Sequence, residues 1–266
     1  MVATIMKKKV DFKKLITFTN VLSIILIIMY LLDCYLPLPE GYTGYTSWIS
    51  DSSSVLNYIF GSCGGLLSNY LAMGAIVDPS GTQIYRHFTQ MLLHGGILHL
   101  IANLVGLYFI GNYTEKRFGW WMTAVLFFFV GFIESFITDP LYLAMAPDKA
   151  DNIASTISVG ASGGVYGLMG ACLAAIFFDL KSFKQIGKPT IMVSAIYGVL
   201  TTYVVSFGWT TVCHNVALIL GLIIGAAIIL PFFLLKKGKF APAMQLSEQS
   251  EADPQDEKTT IYKFII

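Results

Sequence analysis

Six long apolar runs are the feature of this sequence that most restricts how the chain can fold. They cover residues 15–32, 91–113, 120–137, 163–178, 190–207 and 212–235. A transmembrane α-helix needs about 20 consecutive apolar residues, whereas the strands of a membrane barrel are about 10 residues long and alternate in polarity. The sequence therefore predicts an all-α integral membrane protein, a bundle of six transmembrane helices.

The composition leads to the same class of protein. Hydrophobic residues make up 55% of the 266 residues and charged residues 12%, with a mean hydropathy of +0.67. A soluble domain carries about 25% charged residues. An ordinary soluble domain is therefore excluded, and the net charge of +1 gives no reason to expect a nucleic acid partner.

The distribution of basic residues predicts the orientation of the helices. With six spans, all but two of the 17 lysines and arginines fall on the side of the N-terminus, and the exceptions are Arg86 and Lys149. Positive residues accumulate on the cytoplasmic side, so we expect both termini in the cytoplasm. The predicted organisation is a basic N-terminus (1–14), a membrane domain (15–235) and a polar, disordered tail (236–266). We expect the membrane to be the cytoplasmic membrane of a bacterium.

Two segments need separate interpretation. The first apolar run follows a basic flank, as in a signal peptide, but no small-residue cleavage site comes after it, so we expect a retained anchor. Residues 55–76 are also apolar but are interrupted by glycines and polar residues. A seventh span there would move Lys116, Arg117 and the basic C-terminus outside. We therefore place residues 33–90 outside, as a loop lying partly in the interface, and the acidic loop 138–158 outside as well.

The sequence GASGGVYGLMG, residues 160–170, places Ser162 between Gly160 and Gly163 at the start of the fourth run. This run is about 24 Å long at about 1.5 Å per residue, shorter than the hydrocarbon layer of about 30 Å. The helix should therefore begin below the outer surface, where irregular backbone is tolerated only beside a cavity or inside protein. Its free N–H groups and partial positive charge suit a developing oxyanion.

A serine nucleophile needs a base, and His214 is the candidate. Two stripes of small residues predict that the fourth and sixth helices pack closely, as in GxxxG pairs. The first stripe comprises Gly163, Gly167, Gly170 and Ala174, and the second, with His214, comprises Ala217, Gly221 and Gly225. Such packing would bring Ser162 near His214, and Tyr166, one turn from Ser162, could hold the imidazole ring.

His99 and Asn103 lie one turn apart on the second predicted helix. Both side chains can donate hydrogen bonds, as an oxyanion hole requires, and one such donor is typically worth about 3 kcal/mol.

Several of these features also have structural interpretations without catalysis. Glycines in a spanning helix more often serve packing, and a lone intramembrane serine more often bonds to a neighbouring helix, although an intramembrane histidine favours function. We expect His94 at the interface, His87 in a loop, and the Glu134 carboxylate reaching towards water. His94 and His99, five positions apart, should face different ways, and without an HExxH motif no metal or cofactor is expected. Cys34 and Cys63 could pair, although nothing in the sequence requires it.

Together these motifs resemble the rhomboid intramembrane serine proteases. The resemblance covers most of residues 70–230 and rests on GASGGVYGLMG, HGGILHLIANLVGLYFIGNYTEKRFG and CHNVALILGLIIG. It implies Ser162 as the nucleophile and His214 as the base. It further implies that His99 and Asn103 line the oxyanion hole and that Tyr166 packs against the base. Six helices with cytoplasmic termini match the basic rhomboid layout, and Tyr85-Arg86 matches an aromatic–arginine dipeptide of the first outer loop.

The chain departs from the family pattern near the base. Many members carry a glycine pair where this chain has Val216 and Ala217, and an aspartate where it has Thr210. These changes could loosen the helix contact, but they remove no catalytic group, so we expect an active enzyme.

The expected activity is cleavage of the transmembrane segments of single-pass membrane proteins by a Ser–His dyad. Cleavage should occur near the outer face, in helix-destabilised stretches with small residues. The alternative is a small transporter or channel subunit. A transporter should show broken helices in two related halves, and the sequence shows no such repeat.

Overall fold

The computed structural model describes residues 16–36, 66–73, 81–151, 157–178, 196–201 and 208–235. Within these ranges the chain is helical or irregular and forms no strand; an isolated antiparallel bridge joins Met73 to Ser158. The all-α prediction is therefore confirmed for the described residues. Most of the predicted fifth run and the whole polar tail lie outside them.

Seven helices carry the architecture of the described residues. Their bounds are α1 Phe18–Tyr35, α2 Leu66–Leu71, α3 Arg86–Thr89, α4 Ile97–Phe118, α5 Trp120–Met145, α6 Ser162–Phe178 and α7 Trp209–Leu235. A 3-10 turn, Gln90–Leu92, follows α3, another, Pro147–Lys149, follows α5, and a π-helical turn, Leu107–Gly111, lies within α4. Residues 196–201 are also helical.

Four helices of the described part are long and apolar enough to cross a membrane, namely α1, α4, α5 and α7. The shorter α6 is also apolar. The chain is therefore a multi-pass helical membrane protein. The total of six spans and the cytoplasmic position of both termini stay predictions.

Two predicted boundaries were wrong. The second span does not begin at Met91, because Leu93 leaves the 3-10 turn in an extended conformation and the helix starts only after Gly96. The third span does not end near residue 137 but continues through Pro140 to Met145. Trp209 Nε1 donates a hydrogen bond to Asp139 Oδ1 at 2.6 Å, which fixes this extension against α7.

The two ends of α1 show how the first two long helices are related. At its N-terminus, the Glu115 carboxylate, near the end of α4, accepts hydrogen bonds from the backbone N–H groups of Phe18 (2.8 Å) and Thr19 (2.9 Å). At its other end, Asp33 accepts bonds from the N–H and hydroxyl of Ser68 at 2.7 and 2.5 Å. The helices α1 and α4 are therefore antiparallel, and α2 lies where α1 ends.

The interrupted apolar segment 55–76, which the sequence predicts not to span the membrane, is described only from residue 66 to residue 73. There the helix α2 stops at Leu71, the Ala72 carbonyl accepts a hydrogen bond from Arg86 Nη1 at 2.8 Å, and Met73 pairs with Ser158. This part of the segment is therefore packed against the beginning of α3 and the entry to α6. Cys34, at the end of α1, is disulfide-bonded, while Cys63 lies outside the described residues.

The centre of the bundle is α6, whose residues are mostly buried. Its most extensive contact is with α7. A Cβ added to Gly221 would meet the Gly167 backbone, and one added to Gly170 would meet the backbone of Leu218 and Leu222. The close packing predicted from the small-residue stripes is confirmed.

Candidate active site

Ser162 is the first residue of α6, and irregular chain leads into it. Ser158 is held by its bridge to Met73, and the Gly160 N–H donates to the Gln90 carbonyl at 2.9 Å. These backbone bonds fix the approach to the helix. The side chain of Ser162 is half-buried and faces a cavity.

Gly160 brings His99 and Ser162 together. Its φ of 134° lies in a region that L-residues rarely adopt, and a Cβ there would come within 2.6 Å of His99 Cε1 and 2.8 Å of His99 Nε2. The same point is 3.7 Å from Ser162 Oγ. The imidazole edge and the hydroxyl therefore border one small space, which only glycine leaves open.

His214, one turn into α7, is buried and stacks on Tyr166. The two ring centroids are 4.2 Å apart and the planes differ by 9°. The Tyr166 hydroxyl bonds to the Thr201 hydroxyl and donates to the Gly198 carbonyl at 3.3 Å, and the imidazole faces the Thr201 backbone. Tyr166 thus holds the ring one turn below Ser162.

Ser162 lies one turn before Tyr166, on which the His214 ring stacks, and no hydrogen bond joins Ser162 to His214 within the described structure. His214 Nδ1 is buried without a hydrogen-bond partner among the described residues. Catalytic hydrogen bonds are often long in a free enzyme and tighten when substrate binds. The arrangement is therefore compatible with a dyad that forms on substrate binding.

Asn103 is buried, and its side-chain amide is hydrogen-bonded to the backbone of its own helix, α4. Its Nδ2 donates to the His99 carbonyl at 3.1 Å, while its Oδ1 has no partner within the described structure. One of the two amide hydrogens of Asn103 is thus used within α4, and the other is available as a donor.

A cavity of ≈ 230 Å³ opens beside Ser162. Its lining includes Ser162, His99, Gln90, Glu134, Trp209 and Cys213. His214 and Asn103 are not part of the lining. The cavity therefore joins the serine to His99 on one side and to residues of α5 and α7 on the other.

Glu134 is a cavity residue that the sequence interpretation placed incorrectly. Its side chain does not reach water but is 4% exposed, and its Oε1 bonds to the Thr138 hydroxyl at 2.5 Å. A Cβ added to Gly163 would come within 2.8 Å of Oε2. The sequence did contain a sign that Glu134 could be buried. Thr138 lies one helical turn further along the same face, where its hydroxyl can donate a hydrogen bond to the carboxyl group.

The other two histidines also differ from expectation. His94, expected at the membrane interface, is buried within the protein, and its ring lies edge-on to that of His99 with centroids 5.2 Å apart, although the two were expected to face different ways. The two face each other because His94 precedes the helix instead of continuing it. His87 lies in α3, not in a loop, where it stacks on Phe136 and bonds to the Ser135 hydroxyl at 2.8 Å. The described residues contain no group of three potential metal ligands.

Comparison with known proteins gives the family. A model of the Rhomboid domain matches residues 81–235. RHOMBOID-like protein 7 of Arabidopsis thaliana is 30% identical over 178 residues, which cover 66% of this chain and 53% of the relative. RHOMBOID-like protein 4 of the same plant is 28% identical over 163 residues, which cover 61% of this chain and 39% of the relative.

A third relative bears on activity. Inactive RHOMBOID-like protein 8 of Arabidopsis thaliana is 31% identical over 125 residues, covering 47% of this chain and 31% of the relative. The chain thus spans about half or less of the length of these curated relatives. The matched region begins before α3 and includes α4 to α7, and with them every residue of the candidate site. The chain belongs to the rhomboid family.

Proposed function

We propose that this protein is an intramembrane serine endopeptidase that cleaves transmembrane segments of single-pass membrane proteins near the outer face. The observation that carries the proposal is the position of Ser162. It begins a buried helix, borders a cavity with His99, and lies one turn from a tyrosine stacked on His214. A serine used only for helix packing needs neither a cavity nor two histidines.

In the proposed reaction, Ser162 Oγ attacks the carbonyl carbon of a peptide bond as His214 takes its proton. The oxyanion accepts hydrogen bonds from the Ser162 N–H, from His99, and from the second amide hydrogen of Asn103. His214 then protonates the leaving amine nitrogen, and water hydrolyses the acyl-enzyme. A substrate helix must unwind locally, because its carbonyls are otherwise hydrogen-bonded within the helix.

The proposal includes the topology predicted from the charges, with six spans and both termini in the cytoplasm. Support comes from the antiparallel α1 and α4, whose inner ends meet at Glu115. The disulfide at Cys34 is the type of bond that persists in an oxidising compartment, as expected for the outer face. The relatives named above are plant proteins and lend no support to a bacterial membrane.

Fluorophosphonate labelling of the purified protein is the direct test, because the probe reacts only with an activated serine. We expect the wild type to be labelled and to cleave a single-pass model substrate in proteoliposomes. Ser162→Ala should lose both properties without unfolding in detergent, since only a small hydroxyl is removed. Ser23→Ala, on α1, is the matched control and should keep both.

The same test separates an active enzyme from an inactive relative. If Ser162→Ala is still labelled, a residue other than Ser162 is the nucleophile. A wild type that is folded but neither labelled nor active would place the protein with the non-proteolytic members.

A further inference from the structure

The helical residues 196–201, part of the fifth predicted run, contact the proposed base but have no role in the reaction described above. The His214 imidazole faces the backbone of Thr201. The Thr201 hydroxyl bonds to the Tyr166 hydroxyl, and the Tyr166 ring stacks on the His214 ring with centroids 4.2 Å apart. Thr201 therefore meets the base in two ways, directly through its backbone and indirectly through Tyr166.

The direction of the hydrogen bonds at Thr201 follows from the number of protons. Thr201 has one hydroxyl proton, which it donates to the Tyr197 carbonyl at 2.6 Å. The Thr201 oxygen must therefore accept the proton of the Tyr166 hydroxyl. Tyr166 shares this proton with the Gly198 carbonyl, which lies further away at 3.3 Å. The result is a chain of hydrogen bonds from Tyr166 through Thr201 to the backbone of residues 196–201.

A histidine base must be held in one orientation and in one tautomer. The ring nitrogen that does not take the serine proton has to carry a hydrogen, and in a Ser-His-Asp triad a buried aspartate accepts that hydrogen. A backbone carbonyl can do the same for an imidazole N–H. Stacking on Tyr166 fixes the plane of the His214 ring but not its rotation within that plane. A bond to the Thr201 backbone would fix the rotation as well.

We propose that Thr201 is a positioning residue for the base, in that its carbonyl accepts the N–H of the His214 ring and its hydroxyl holds Tyr166 against that ring. The inference rests on the proposed function, because the alignment of His214 matters only if Ser162 is the nucleophile. Thr201 touches neither the substrate nor the reacting atoms. It acts on the rate of proton transfer from Ser162 and leaves substrate binding unchanged.

Thr201→Val tests the hydroxyl, because valine has nearly the same shape but forms no hydrogen bond. In the full-length protein in proteoliposomes, kcat for a single-pass model substrate should fall about tenfold, between the loss of one hydrogen bond and a full misplacement of the base. KM should stay unchanged, and the rate of fluorophosphonate labelling should fall by the same factor as kcat. Thr201→Ser keeps the hydroxyl and should restore both rates to near the wild-type values.

Thr123→Val is the matched control. Thr123 is buried in α5 and, like Thr201, donates its hydroxyl proton to the carbonyl four residues earlier, here that of Gly119 at 2.9 Å. It lies more than two helical turns before Gly131, the first residue of α5 in the lining of the cavity. Its substitution should leave kcat and labelling unchanged, which excludes a general effect of losing such a hydroxyl.

A double-mutant cycle with Tyr166→Phe determines whether Thr201 acts through Tyr166. Each single substitution removes one end of the same hydrogen bond. The double variant should therefore be labelled no more slowly than the slower of the two single variants. If the two reductions in labelling rate multiply instead, the Thr201 hydroxyl does not act through Tyr166 and the inference is overturned.

The inference and the proposed function fail in different ways. If the wild type is active but Thr201→Val keeps its kcat, raises only KM, or is not rescued by Thr201→Ser, the positioning role is overturned while the protease assignment stands. If the wild type is neither labelled nor active, both are overturned. Should Thr201→Val fail to fold, Tyr166→Phe decides, because it removes the other end of the bond: an unchanged kcat rejects the inference, and a fall of about tenfold supports it.

Discussion

Replacement by alanine should lower the cleavage rate by different factors at His214, at His99 and at Asn103. His214→Ala removes the proposed base, so cleavage should fall to background. His99→Ala and Asn103→Ala each remove one of the proposed oxyanion donors, which should cost about 10² to 10³ in rate. Initial cleavage rates in proteoliposomes measure the three effects.

The two donor variants have a further expected property. Ser162 keeps its base in both, so each should still accept the fluorophosphonate, although more slowly. Wild-type cleavage rates in both His99→Ala and Asn103→Ala would mean that α4 does not contribute to the site. A wild-type rate for Asn103→Ala alone would mean that its amide does not donate to the oxyanion.

The backbone of Gly160 lies directly against the His99 ring and close to the Ser162 hydroxyl. Gly160→Ala places a methyl group on the His99 ring and strains a φ of 134°, so labelling and cleavage should both be lost. Gly81→Ala is the matched control, because its φ of 63° is also positive but its Cβ would meet nothing within 4 Å. Backbone strain costs of order 1–3 kcal/mol in either variant, and only Gly160→Ala should lose the site. Equal labelling of the two variants would contradict this geometry.

At the scale of elements, the contact between α6 and α7 positions His214, the proposed base, relative to the helix that begins with Ser162. Gly221→Ala directs a methyl group into the Gly167 backbone, which cannot move aside as a side chain would. The helices must separate, and we expect a loss of about 1–3 kcal/mol in the free energy of unfolding, as for other overpacked cores. Denaturant unfolding in mild detergent, together with cleavage rates, measures it.

Gly198→Ala is the control for this experiment. Both substitutions gain the same helix propensity, but a Cβ at Gly198 meets only the flexible end of Met169, at 3.3 and 3.4 Å. Its stability should stay at or above the wild-type value. If Gly221→Ala is as stable as Gly198→Ala, the close approach of the two helices is not what holds them.

At the scale of the whole molecule, the number of spans is the open prediction. Cysteines introduced by Ser52→Cys and Thr82→Cys, after Cys34→Ser and Cys63→Ser, should both react with an impermeant maleimide from outside. The reason is that α2 lies where α1 ends and α4 is antiparallel to α1, so the chain between α1 and α4 begins and ends at one face. Reaction of only one of the two would mean that residues 55–76 span the bilayer.

Much of the site could be predicted from the sequence because its parts repeat with the period of a helix. Gly163, Gly167 and Gly170 on one helix, and Ala217, Gly221 and Gly225 on another, form stripes whose close packing follows from the absence of side chains. Tyr166 follows Ser162 by one helical turn, so the two side chains lie on the same face of the helix. The shortness of α6 likewise predicts that its N-terminus lies inside the membrane, because the rise per residue of a helix and the thickness of the bilayer are both known.

The sequence by itself therefore determined the membrane class, the helical architecture and the identity of the residues proposed for catalysis. Only the tertiary structure decided where Glu134 and His94 lie and how far α5 extends. The carboxyl group of a residue in a membrane helix can reach towards water or turn inward, and the choice depends on neighbours from other helices, here Cys213 and the backbone at Gly163. His94 meets His99 because the chain is irregular before α4. Such contacts join residues distant in sequence, and no local pattern records them.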